Sequence, residues 1–148
     1  MLEQTQTHTP GRARDPTTAL TVFVVENHED TRALLRLMLE MLGHRVVSAR
    51  SMKEALERLP AANCDVLISD IGLPDGDGWE LMRRLRLPRP IYAVAISGYG
   101  MSADCARSRS AGYRHHLVKP YGVERLPGIL EEAASERDRR DSRQRTDH

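Results

Sequence analysis

Residues 65–78 read DVLISDIGLPDGDG, an apolar run that ends on a carboxylate and breaks at once into a turn rich in Gly and Asp. A run such as Asp65–Ser69, with β-branched and aliphatic residues in succession, suits a strand covered on both faces. Asp70 then stands at its carboxyl end. Gly76 and Gly78 are read as supplying positive-φ freedom for the turn. Outward from this stretch the same kind of run recurs at Leu20–Val25 (LTVFVV), Arg45–Ala49, Ile91–Ile96 (IYAVAI) and His116–Val118.

Amphipathic stretches separate the runs. The first spans about Glu29–Leu42, with Leu34, Leu35, Met38, Met41 and Leu42 as its apolar stripe and Gly43 where a left-handed C-terminal residue is expected. Ser51 opens the second with Glu54 as its capping-box partner, and Pro60 closes it after about Leu59. Trp79–Leu85, about Ser102–Ala111 and about Leu126–Ala134 complete the set, with Pro127 in the first turn of the last. Five strands alternating with five helices imply parallel pairing through right-handed crossovers, a doubly wound α/β domain over residues 20–134. Residues 1–19 are expected to form a disordered arm, and 135–148 a polar tail that lies outside the core and extends the last helix by no more than a turn or two.

With 148 residues, 40% of them apolar, the chain suffices for one core and not two. Lys and Arg total 22 against 21 Asp and Glu. That balance, with no basic stripe, speaks against direct nucleic-acid binding. No apolar run nears the ~18 residues of a membrane span, and the first residues lack a signal peptide's apolar segment, so a cytoplasmic protein is expected. Cys64 and Cys105, in no CxxC pair, read as reduced thiols.

In a doubly wound sheet, chemistry gathers at the carboxyl ends of the strands. There stand Glu26–Asn27 with Glu29 and Asp30 beyond, Asp70, Ser97, and Lys119–Pro120. A carboxylate nucleophile, a hard divalent cation held by oxygens, and a hydroxyl and lysine for phosphoryl oxygens are what phosphoryl transfer requires. Asp75 and Asp77 lack the closing Glu of an EF-hand and read as turn residues. His115 and His116 have no third ligand at metal spacing.

Taken in order, VVEN (24–27), DVLISDIGLPDGDG (65–78), ISGYG (96–100) and HHLVKP (115–120) resemble the receiver domains of two-component response regulators, the CheY-like superfamily, over about Leu20–Ala134. The resemblance implies a flavodoxin-like sheet of order 2-1-3-4-5, with Asp70 as phosphoacceptor. It implies Mg²⁺ held by Glu26, Asn27, Asp70 and the Gly72 carbonyl, Ser97 as switch hydroxyl and Lys119 as phosphate-binding lysine. His116 takes the position of a rotating aromatic, the Lys119–Pro120 bond is cis, and Gly72 and Tyr99 hold positions that tune phosphoryl lifetime. The implied partners are a histidine kinase or histidine phosphotransfer protein, which the exposed side of the first helix would dock, and a downstream protein. The chain would be a signalling switch, catalysing only its own phosphorylation and dephosphorylation. Two departures stand out. Asn27 replaces a second carboxylate and predicts weaker Mg²⁺ binding, and Ser97 stands where Thr is usual. A pseudo-receiver acting as an interaction module without phosphorylation is the alternative that Asn27 favours. A flavodoxin-like binder or Asp-nucleophile phosphatase finds no Gly-rich phosphate loop or DxD run at Asp70 in support.

Overall fold

The structure, a computed structural model, describes residues 19–98, 102–119 and 124–146. In chain order its elements are β1 (Thr21–Val25), α1 (Glu29–Met41), β2 (Arg45–Ala49), α2 (Met52–Ala62), β3 (Val66–Asp70), the short strands β4 (Gly72–Leu73) and β5 (Gly76–Asp77), α3 (Gly78–Arg84), β6 (Tyr92–Ser97), α4 (Ser102–Ala111), β7 (His115–Val118) and α5 (Leu126–Thr146). Five strands form one sheet in the order β2-β1-β3-β6-β7, and every pair in it is parallel. With the antiparallel β4–β5 pair set aside, this is the 2-1-3-4-5 order. The flavodoxin-like expectation is met.

Strand alternation splits the core into two layers. Val22, Val24, Val66, Ile68, Val94 and Ile96 face one side, where Leu35 and Leu39 of α1 and Leu126, Ile129 and Leu130 of α5 cover them. Phe23, Val25, Leu67, Ala93 and Ala95 face the other, against Met52, Ala55 and Leu59 of α2, Leu81 of α3 and Tyr113. Each large aliphatic side chain so buried contributes roughly 1.5–3 kcal/mol. Both faces of the sheet are therefore closed, and chemistry is left to the strand ends.

Several local expectations need correction. Leu34 and Met41 are 62% and 66% exposed and are not core. The buried stripe of α1 is Leu35 and Leu39, flanked by Met38 and Leu42, because that set lies on one helical face while Leu34, Leu37 and Met41 share the next. Pro60 does not close α2, which continues to Ala62. Pro60 sits exposed in the last turn, where its missing N–H costs one bond at most, and the left-handed Asn63 (φ 53°) ends the helix instead. Gly43 is left-handed as expected (φ 95°), but Gly76 and Gly78 are not among the positive-φ residues. Finally, α5 runs well past Ala134. Arg137 anchors its extension by donating to the Ala19 carbonyl at 3.0 Å and approaching Asp65 Oδ2 at 3.5 Å.

Candidate functional site

Parallel register brings the carboxyl ends of β1, β3, β6 and β7 level. Asp70 pairs with Ile96 and Ser97 with Val118. Backbone bonds continue the ladder one step beyond: Glu26 N–H to Ala49 O (3.0 Å), Ile71 N–H to Ile96 O (2.9 Å) and Lys119 N–H to Ser97 O (2.8 Å). Side chains at these positions are thus aimed by the sheet itself.

Glu26 and Asp70 are 1% and 8% exposed. Lys119 bridges them, its Nζ 3.0 Å from Glu26 Oε1 and 2.7 Å from Asp70 Oδ2. Asp70 Oδ1 accepts the Gly72 amide at 3.1 Å. Glu26 Oε2 accepts the His28 amide at 2.9 Å and faces His28 Nδ1 at 3.3 Å. Burial pushes the Asp70 carboxyl above the ordinary carboxylate range, and the Glu26 charge adds to the rise while Lys119 opposes it. At Glu26 burial pushes the same way but is outweighed by the His28 amide and Lys119, so that carboxyl lies below its ordinary value. Burial also works against the Lys119 ammonium, but the two carboxylates together hold it above its usual value. Two buried acids share one cation. That leaves a negative imbalance at the carboxyl ends of β1 and β3.

An open cleft of about 640 Å³ lies over this point, lined by His28, Asp70, Gly72, Asp77, Trp79, Ser97, Asp104, His116 and Lys119 among others. Behind it runs a chain of side-chain contacts. Ser97 Oγ is 2.8 Å from His116 Nε2, His116 Nδ1 is 2.7 Å from Ser108 Oγ, and Trp79 Nε1–H donates to Ser108 Oγ at 2.9 Å. The Arg107 guanidinium stacks on the Trp79 ring at 4.0 Å.

Of the residues singled out from sequence, Glu26, Asp70, Gly72, Ser97, His116 and Lys119 come together here. Asn27 does not join them by any hydrogen bond of its side chain among the described residues. It is exposed just past β1, and its carbonyl is 3.4 Å from Arg32 Nη1. Tyr99 and Pro120 lie outside the described residues. Gly72 has open space where a Cβ would stand. Gly78 matters for close approach: a Cβ there would lie 2.9 Å from the Asp70 carbonyl oxygen.

The two aspartates of the turn prove to be caps. Asp77 N-caps α3 through Glu80 N–H (2.7 Å), whereas Asp75 reaches across to the first amides of α2, Met52 and Lys53, at 2.8 and 2.9 Å. His115 packs on Tyr92 and contacts Glu132 at 3.3 Å. Sequence reasoning missed Ser108 and His28. Nothing in the polar SADCARSRSA helix marks Ser108 as buried, whereas His28, next to the acidic pair, could have been suspected. The described residues include no helix long and apolar enough to cross a membrane.

Comparison with known proteins follows the same line. The family described as "Response regulator receiver domain" matches residues 22–131. The virulence sensor protein BvgS of Bordetella parapertussis is 35% identical over 154 residues, covering 91% of this chain but only 12% of that protein. The polar-differentiation response regulator DivK of Brucella ovis is 31% identical over 108 residues, 71% of this chain and 88% of DivK. Among solved structures, the CheY-like receiver domain from Methylobacillus flagellatus superposes with a TM-score of 0.67 at 24% identity, covering 78% of this chain and 98% of that one. That last likeness speaks to fold alone.

Proposed function

The chain belongs to the response regulator receiver family, and from that premise we propose that it is a phosphoacceptor switch in which Asp70 takes a phosphoryl group from a phosphohistidine on a kinase or phosphotransfer protein. The observation that carries this reading is the Glu26–Lys119–Asp70 bridge, with Asp70 lining the cleft.

In the proposed reaction an Asp70 carboxylate oxygen attacks phosphorus in line with the leaving imidazole. The new O–P bond replaces the N–P bond, whose electron pair returns to the donor's histidine. Lys119 transfers its ion pair from the carboxylate to the phosphoryl oxygens, and the Ser97 hydroxyl donates to another of them. The residues suit Mg²⁺, because two buried carboxylates sharing one ammonium leave an uncompensated charge, and hard oxygen donors are what that ion prefers. Glu26, Asp70, the Gly72 carbonyl and the Asn27 amide would hold it. When bound, it supplies positive charge against the incoming phosphoryl oxygens. The exposed Leu34, Leu37 and Met41 face of α1 supports docking of the phosphodonor protein, in the cytoplasm.

Acetyl phosphate with Mg²⁺, read by intact mass, tests the proposal. Wild type gains one phosphoryl mass and Asp70→Asn gains none, whereas equal gain by both overturns the assignment. The pseudo-receiver reading predicts no gain by either.

A further inference from the structure

Several surface cations of this chain answer to an acid on their own helix. Arg36 pairs with Glu40, Arg50 with Glu54 and Arg84 with Glu80, each four residues apart. One face departs from that pattern. There α4 (SADCARSRSA) carries Arg107 and Arg109 against the single acid Asp104, and the residues four away from Arg109 are Cys105 and Tyr113. Arg125, just before α5, has Gly128 and Ile129 at the equivalent positions ahead of it. Both arginines are exposed, and neither makes a side-chain hydrogen bond or ion pair among the described residues.

They nevertheless line one cleft, of about 140 Å³, with Ser108, Arg114, His115 and His116, and no Asp or Glu among the described residues lines it. Arg114 is already met by Glu136 at 2.8 Å, and His115 by Tyr92 and Glu132. The uncommitted charge of the cleft is therefore that of Arg109 and Arg125. A cleft of this size is smaller than the roughly 300–1,000 Å³ of a small-molecule pocket, so side chains suit it better than a whole cofactor. It also borders β7, the last strand in the sheet order, whose outer side pairs with no strand among the described residues. An edge strand offers main-chain hydrogen bonds that a peptide can use and an inorganic anion cannot. The guanidinium fork in turn matches a carboxylate.

We propose that this cleft docks an acidic segment of a partner protein, an extended peptide that lies along β7 and gives its carboxylates to Arg109 and Arg125. The proposal goes beyond the phosphoacceptor reading and stands whether or not Asp70 takes phosphate. A basic segment is repelled by the same two arginines, and an apolar one leaves both without a partner.

Titration of the full chain with hexaglutamate, followed by ¹H–¹⁵N correlation, tests this. The peptide should shift, saturably, the amide signals of Ser108, Arg109 and Arg114–His116 and the Nε–H signals of Arg109 and Arg125. Replacing both arginines, Arg109→Gln with Arg125→Gln, should weaken binding by about three- to thirtyfold, the loss of two charge pairs at a partly exposed site. Arg139→Gln with Arg143→Gln removes as much charge from exposed positions outside the cleft and should leave the affinity unchanged. Equal weakening by the two pairs shows attraction to net charge alone and overturns the proposal, as does a wild type with no saturable shift. Inorganic phosphate that shifts the same signals at the same carboxylate-equivalent concentration shows a simple anion site and overturns it too.

Discussion

With 8% of its surface exposed and Glu26 on the far side of the shared Lys119, the Asp70 carboxylate is charged where burial disfavours charge. Its folded-state pKa is raised, above an unfolded value near ~4. The stability Asp70 contributes is therefore full below about pH 4 and is lost as pH rises through the folded value. Asp70→Asn removes that loss. Without divalent cations, the melting temperature of Asp70→Asn minus that of wild type should be smallest near pH ~4 and should rise as pH increases, levelling off above the raised folded value. A variant less stable than wild type at neutral pH contradicts the account. Asn27 calls for the opposite substitution. Being exposed, an added carboxylate there acts through partly screened solvent, so Asn27→Asp should tighten Mg²⁺ binding by on the order of 1 kcal/mol, or a little under tenfold. Melting temperature titrated against Mg²⁺ reads this directly, and an unchanged midpoint removes Asn27 from the metal site.

The element that most constrains the site is α3, and it was only half legible. Its capping aspartate follows from the PDGDG turn, because Asp77 precedes a helical run and Asp is a favoured N-cap. What the turn does not announce is that Asp75 caps a different helix, α2, a contact set by tertiary packing across 23 positions. Gly78 was misread for a related reason. Glycine in a turn suggests positive φ, but here it permits backbone-to-backbone contact: the Gly78 amide donates to Ile71 O at 2.8 Å and Tyr113 Oη donates to the Gly78 carbonyl at 2.7 Å. A Cβ at this position would also stand 3.0 Å from Ile71 Cδ1 and 3.1 Å from Tyr113 Oη. Gly78→Ala should therefore destabilise the fold by roughly 1–3 kcal/mol, despite alanine's better helix propensity. Urea unfolding measures it, and a stabilised Gly78→Ala would show that α3 can back away from β3 freely.

Across the whole molecule, strand order and the gathering of strand ends were readable because they follow from period and connection. Runs without polar interruption, joined by amphipathic helices, admit few topologies, and each motif fell at the end of one such run. The edges of the pattern were less readable. The true face of α1 differs from its neighbour by one residue position, and seven apolar residues among the nine of Leu34–Leu42 cannot say which of them the sheet covers. The extension of α5 to Thr146 was hidden because its composition is that of a solvated tail, while its anchor, Arg137 on Ala19 and Asp65, pairs residues far apart in sequence. Ser108 lay hidden for the same reason. What all these elements serve, in this account, is one oxygen of Asp70. Its phosphorylation can be read at the atom by reducing the acyl phosphate with borohydride, which turns an aspartyl phosphate into homoserine, and sequencing the peptide by mass spectrometry. After incubation with acetyl phosphate and Mg²⁺, homoserine should appear at position 70 and nowhere else, and should be missing when either reagent is withheld. Aspartate left intact at 70, or homoserine at any other acid, would contradict the account.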